Sequence, residues 1–173
     1  DQALAAPDFR ASERAYALIT QVAGRARREG GPGRVIVQTY DPHHHALRAA
    51  LASAPEDFYA QELAERQSLG YPPFRRLLGL RLEGADQARV ERAASHLARH
   101  LEQARRQLRP AAQLLGPAPA PVARVASRWR YLLLLKAPEA ASAAAILRLG
   151  LHQAGPLPGG VRLAVDVDPL TLA

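Results

Sequence analysis

The sequence predicts a mixed α/β and α+β chain: a short α/β segment, then a domain ordered strand, helix, strand, strand, helix, strand. Three observations carry this. The hydrophobic period changes at "GYPPF", Gly70–Phe74. Beyond it, four strand-type runs are interleaved with two stretches of helical period. Ahead of it, a helical stripe ends in "EGGPG" and a short β-branched run follows.

Upstream, Ser12 is a helix cap and Glu13 suits the first turn. The helix runs through "ERAYALITQVAGRAR", with Tyr16, Ile19 and Ala23 on one apolar stripe. "EGGPG" breaks it. "RVIVQTY", Arg34–Tyr40, is short and β-branched, so it reads as a strand buried on both faces. Asp41-Pro42 turns the chain. Two short helices are predicted, near His44–Ala52 and Pro55–Ser68. The consecutive prolines of "GYPPF" make a stiff, non-helical connector. They place a domain boundary that divides residues 1–68 from residues 69–173.

Downstream, "FRRLLGLRLEG" alternates as a strand. Asp86 caps a long helix with Val90, Ala94, Leu97, Leu101 and Leu108 at helical spacing. "LLGPAPAPVARV" is extended, and its prolines suit an edge strand. "VASR", Val125–Arg128, reads as a turn into the strand "RWRYLLLLK". Pro138 opens a further helix and Gly155 closes it. "VRLAVDVDP" alternates as a last strand, stopped by Pro169. The order is βαββαβ, the ferredoxin-like or split-βαβ arrangement. It predicts a four-stranded antiparallel sheet with two helices on one face. The first and third strands are central, because the right-handed βαβ rule sets them side by side.

The chain has 173 residues and 48% hydrophobic content. That suffices for a core, one that leans on Ala and Leu. No run approaches the ~20 apolar residues of a membrane span. There is no cysteine, which excludes disulfides and thiolate zinc sites in this sequence. The expected compartment is the cytoplasm. There is also no methionine, so the chain reads as a piece of a longer protein. Net charge is +7, and Lys136 is the single lysine among the 23 basic residues. Basic and acidic residues balance at seven each over residues 1–60. They stand at ten to six over 61–110 and six to three over 111–173. A basic excess of this kind favours a polyanionic partner.

Several clusters are candidates for chemistry. Gln21, Gly24, Arg25 and Arg28 fall in the spacing Q-x-x-G-R-x-x-R. Arginine holds phosphate oxygens bidentately and stays charged, which suits an ATP γ-phosphate. The same residues also read as a basic helix end meeting the helix dipole. Arg128, Trp129 and Arg130 lead into a strand, where alternation puts the two arginines on one face and Trp129 on the other. Trp129 reads either as a stacking platform for single-stranded DNA or as core. Arg75, Arg76 and Arg81 on the adjacent strand extend a DNA-binding surface with them. "HHH", His43–His45, reads as a solvated helix start, not a metal site, because consecutive side chains diverge. Asp166 and Asp168 lie two apart and read as strand-end capping before Pro169. The arginines of the long helix read as a solvated face.

The Gln21–Arg28 spacing resembles the last helicase motif of superfamily 2 ATPases. In order along the chain, "PDFRASERAYALITQVAGRA", "GRVIVQTY", "LGYPPF", "LGPAPAPVAR", "RWRYLLLLK" and "VDVDP" resemble the PriA family of primosomal replication-restart proteins. The resemblance covers almost the whole chain. It implies the tail of a second RecA-like helicase lobe, with a helical extension, over 1–68. It implies the family's ferredoxin-like C-terminal domain over 69–173. It further implies a parent that is an ATP-dependent DNA helicase acting at stalled forks. Implied partners are single-stranded and forked DNA, single-stranded DNA-binding protein and other primosome components, with no membrane. ATP and magnesium would belong to the parent's motor, and zinc to a cysteine-rich insertion outside this chain. Neither these nor any other cofactor is expected in this piece, which alone should not hydrolyse ATP. Gln21, Arg25 and Arg28 would contact the ATP phosphates. One position departs from the family pattern: Arg27 stands where the motif has glycine. That departure keeps a second reading open, a fork-binding scaffold that has lost ATP turnover. The last helix begins "PEAASAAA", without the basic residue that helps some relatives hold single-stranded DNA-binding protein.

Overall fold

A computed structural model describes residues 4–26 and 34–172. They fall into two compact units, Asp1–Leu69 and Gly70–Ala173.

Among the described residues, the first unit holds three helices: α1 (Ala11–Ala26), α2 (His45–Ala52) and α3 (Pro55–Leu69). Asp8 makes the turn that starts α1, accepting from the Arg10 amide at 2.9 Å. Ser12 already lies inside the helix, so it is not the cap. Tyr16, Ala46, Ala49 and Phe58 form the core of this unit. Tyr16 stacks flat on Phe58 with ring centroids 4.1 Å apart. Further along the predicted stripe, Ile19 and Ala23 are half-buried.

Arg34–Tyr40 does not form the predicted strand. Its exposure alternates, as an extended chain does, and Ile36 is 78% exposed. β-Branched residues set the local conformation, but a strand also needs a neighbour to take its N–H and C=O groups. No strand among the described residues pairs with this run.

The second unit contains β1 (Arg76–Gly84), α4 (Gln87–Leu108), β2 (Gln113–Val125), β3 (Arg128–Ala137), α5 (Ala140–Ala154) and β4 (Arg162–Val167). The sheet order is β2-β3-β1-β4 and every pair is antiparallel. The first and third strands are central, as the split βαβ order requires. Asp86 caps α4 by accepting from the Arg89 amide at 3.1 Å. Gly155 ends α5 at φ 69°.

Alternation divides the sheet into two faces. Leu78, Leu80 and Leu82 of β1 lie opposite Leu135, Leu133 and Tyr131 of β3. These residues pack with Val90, Ala94, Leu97 and Leu101 of α4 and with Ala143 and Ile146 of α5. Each such leucine contributes about 1.5–3 kcal/mol by leaving water. The α4 stripe continues through Ala104, whereas Leu108 in the last turn is exposed. Gly150 lets α5 approach closely: a Cβ there would sit 2.6 Å from Leu101 Cδ2.

β2 is an edge strand. Its register with β3 shifts between Leu115 and Ala118 and again between Pro119 and Arg124. The prolines and bulges blunt this edge against pairing with another chain. Ala126 and Ser127 join β2 to β3 as a two-residue turn with φ 47° and 61°. Positive φ at both positions matches the twist of the flanking strands. Among the described residues no helix is long and apolar enough to cross a membrane.

Candidate nucleic-acid interface

The sheet face away from the helices is cationic near the β2–β3 turn. Glu83 of β1 lies directly opposite Arg130 of β3 on one side and Arg162 of β4 on the other. Arg81 and Arg128 share this face by strand period. Four arginines therefore share this face with one carboxylate. Glu83 stands 3.6 Å from Arg130 Nε and 4.0 Å from Arg128 Nη1. Those distances attract charge without making hydrogen bonds. Arg81 Nε, Arg128 Nη1 and Arg130 Nε are buried and lack a hydrogen-bond partner. A buried donor left unpaired costs about 1–3 kcal/mol. The Arg128 and Arg130 side chains are still 37% and 19% exposed, so their guanidiniums remain open to an anion laid on this face.

Pro169, Thr171 and Leu172 lie along the neighbouring part of the same face, against Gly79, Arg81 and Leu132, around a cleft of about 50 Å³. The accessible end of the cationic face is thus the end near the turn.

The other predicted residues do not join this patch. Trp129 points to the opposite face and is half-buried, with the Arg124 guanidinium 5.2 Å from its ring centroid. Arg76 pairs with Asp168 at 2.7 Å. Arg75 Nη1 donates to the Ala111 carbonyl. Arg76 is opposite Ala137, whereas Glu83 is opposite Arg130. At about 3.4 Å per residue, Arg76 sits roughly 24 Å along the sheet from the Glu83 row. Arg162 was missed by sequence reasoning, although the alternation of "RLAVDV" carried the signal.

Asp168 closes β4 onto β1, accepting from the Leu77 amide at 3.0 Å through Oδ1. Lys136 is 4% exposed and its Nζ lies 3.6 Å from the Tyr71 ring centroid. Burial pushes its pKa down, and Arg75 adds to the effect. The pair ties the Gly70–Phe74 connector to the sheet of its own unit.

In the first unit, Gln21 and Arg25 are exposed one turn apart near the end of α1. Arg27 and Arg28 lie outside the described residues. The expectation of a solvated "HHH" is overturned for two of its members. His44 caps α2, its Nδ1 accepting from the Ala46 amide at 3.2 Å. Burial and neighbouring His45 lower its pKa, in that order. The His45 side chain is 10% exposed, with Nε2 3.4 Å from Glu62 and Nδ1 3.8 Å from Glu65. Helix packing, not chain proximity, makes this contact, so no local pattern announced it.

The fold and this face define a class: a small antiparallel βαββαβ module with a cationic, helix-free sheet surface. Residues 67–170 match the family model described as "Primosomal protein N C-terminal domain", and the chain belongs to that family. It is 39% identical over 173 residues to the replication restart protein PriA of Synechocystis sp., covering 99% of this chain and 20% of that protein. It is 41% identical to the PriA of Treponema pallidum, covering 99% of this chain and 26% of the relative. With the PriA of Haemophilus influenzae it shares 35% identity, covering 100% of this chain and 23% of the relative. The chain thus spans about a fifth to a quarter of the length of these relatives.

Proposed function

We propose that the chain is the C-terminal part of a replication-restart protein, and that its cationic sheet face holds phosphates of single-stranded or forked DNA. The carrying observation is the gathering of Arg81, Arg128, Arg130 and Arg162 on one sheet face with Glu83 as the carboxylate among them, 3.6 and 4.0 Å from Arg130 and Arg128. Planar guanidiniums suit phosphate oxygens. The relatives' names and the basic excess of the chain point the same way. Other primosome components, including single-stranded DNA-binding protein, are the expected protein partners.

Fluorescence anisotropy with labelled single-stranded and forked DNA tests this. Binding should weaken steeply with salt. The Arg128→Gln/Arg130→Gln double variant should lose tenfold or more in affinity, and the salt slope should flatten by about 1–2. Arg76→Gln, at the far end of the sheet and paired with Asp168, should change affinity little. Salt-independent binding, or an unaffected double variant, would refute the assignment. A preference for RNA over forked DNA would move the domain to a different function.

A second proposal concerns the motor. Gln21, Arg25 and Arg28 would face ATP and magnesium held by a preceding lobe of the parent. Arg27, in place of the motif's glycine, favours the alternative of a scaffold without ATP turnover. A DNA-stimulated ATPase assay on the full-length protein separates the two: turnover supports the motor, and its absence the scaffold.

A further inference from the structure

His45 opens α2, while Glu62 and Glu65 project from α3 one turn apart. One ligand atom from each lies within 4.8 Å of the others. The imidazole is fixed before anything binds. Its ring stacks between His44, at a centroid distance of 4.6 Å, and Phe58, at 5.7 Å. The buried Glu62 is fixed too. Its Oε1 accepts from Arg66 Nε at 2.8 Å, and its Oε2 faces His45. Glu65 is half-exposed and leaves a path to solvent.

Among the described residues, Glu62 shares Arg66 with Glu13, and Glu65 faces His45 and Gln61 and no arginine or lysine. Ligands about 2.0–2.2 Å from one ion lie roughly 3–4 Å from each other. One ligand atom from each residue already gathers within 4.8 Å, and a small shift of the half-exposed Glu65 side chain would close the remainder. A nitrogen and two carboxylate oxygens form a borderline donor set. It suits zinc better than soft copper(I), which prefers sulfur, or calcium, which takes oxygen alone. Arg66 on Glu62 and the rings around His45 supply the outer contacts that orient metal ligands.

We propose that His45, Glu62 and Glu65 form a binding site for one divalent transition-metal ion, zinc foremost, which staples α2 to α3. Water completes the coordination on the Glu65 side. The site is independent of the cationic sheet face.

Calorimetric titration of the 173-residue chain with Zn²⁺ should give one ion per chain and a raised thermal midpoint. Co²⁺ should give visible d–d absorption, and with no cysteine in the chain it cannot come from thiolates. His45→Ala and Glu65→Gln should each weaken binding about tenfold or more. The His96→Ala/His100→Ala variant removes the other histidine pair on one helix face and should bind as the parent does. Absence of saturable binding would overturn the proposal. So would loss of the ion in the His96/His100 variant instead of the His45 one. If His45→Ala does not fold, Glu65→Gln alone decides: its side chain is half-exposed, and unchanged affinity there rejects the site.

Discussion

Replacing Arg66 with methionine should destabilise the helices of the first unit by about 3–5 kcal/mol, the cost of stranding a buried charge. Glu62 is 5% exposed and depends on Arg66 for its compensation. The guanidinium reaches Glu62 at 2.7 Å and Glu13 at 2.7 Å, and lies 5.4 Å from the Phe9 ring centroid. Burial works against the charge of Arg66, and the bonds to Glu13 and Glu62 overcome it and raise its pKa. Glu13 is half-exposed and loses little when the guanidinium goes, because water replaces it. Glu62 is shut off from solvent and keeps only the longer contact to His45 Nε2, at 3.4 Å. Amide hydrogen exchange in α2 and α3 reads the loss without involving the second unit. The double variant Glu62→Gln/Arg66→Met should recover much of it, because removing both partners leaves no unmatched charge. A single variant as stable as the parent would mean that water or His45 already compensates Glu62.

The second unit was more legible in the sequence than the first. β1 and β4 carry alternation, β3 carries the apolar run Tyr131–Leu135, and α4 carries a helical stripe between a capping Asp86 and an αL residue, Arg109. These local signals agree with the sheet order, because the βαββαβ order leaves few ways to lay down a right-handed sheet. Arg34–Tyr40 failed for the opposite reason: its residues favour extension, but strand pairing is not a local property. The candidate site divides in the same way. Strand period placed Arg128 and Arg130 together and Trp129 across from them. Only register put Arg76 at the far end and Arg162 beside Glu83. The Glu62–His45 contact bridges two helices, and nothing in "HHH" forecasts it.

Leu80→Ala should cost the second unit about 2–5 kcal/mol, since a central core leucine loses both its transfer energy and its packing. Leu80 is fully buried, with Leu133 on one neighbouring strand and Val165 on the other. Strands flank it on both sides and helices cover it, so the site has little room to collapse into the cavity. Urea unfolding followed by Trp129 fluorescence reports on this unit directly, because Trp129 is the only tryptophan in the chain. The midpoint should fall with the m-value unchanged. Leu108→Ala, at an exposed position in the last turn of α4, should shift stability by less than about 0.5 kcal/mol. The comparison also bears on function. Arg81 is the next residue after Leu80 and points to the opposite face. A core cavity behind it leaves the charge pattern of the cationic face intact. Under conditions where Leu80→Ala is still folded, its DNA affinity should therefore match the parent's. A joint loss of stability and affinity would mean that the arginine face depends on tight packing behind the sheet, and not on charge placement alone.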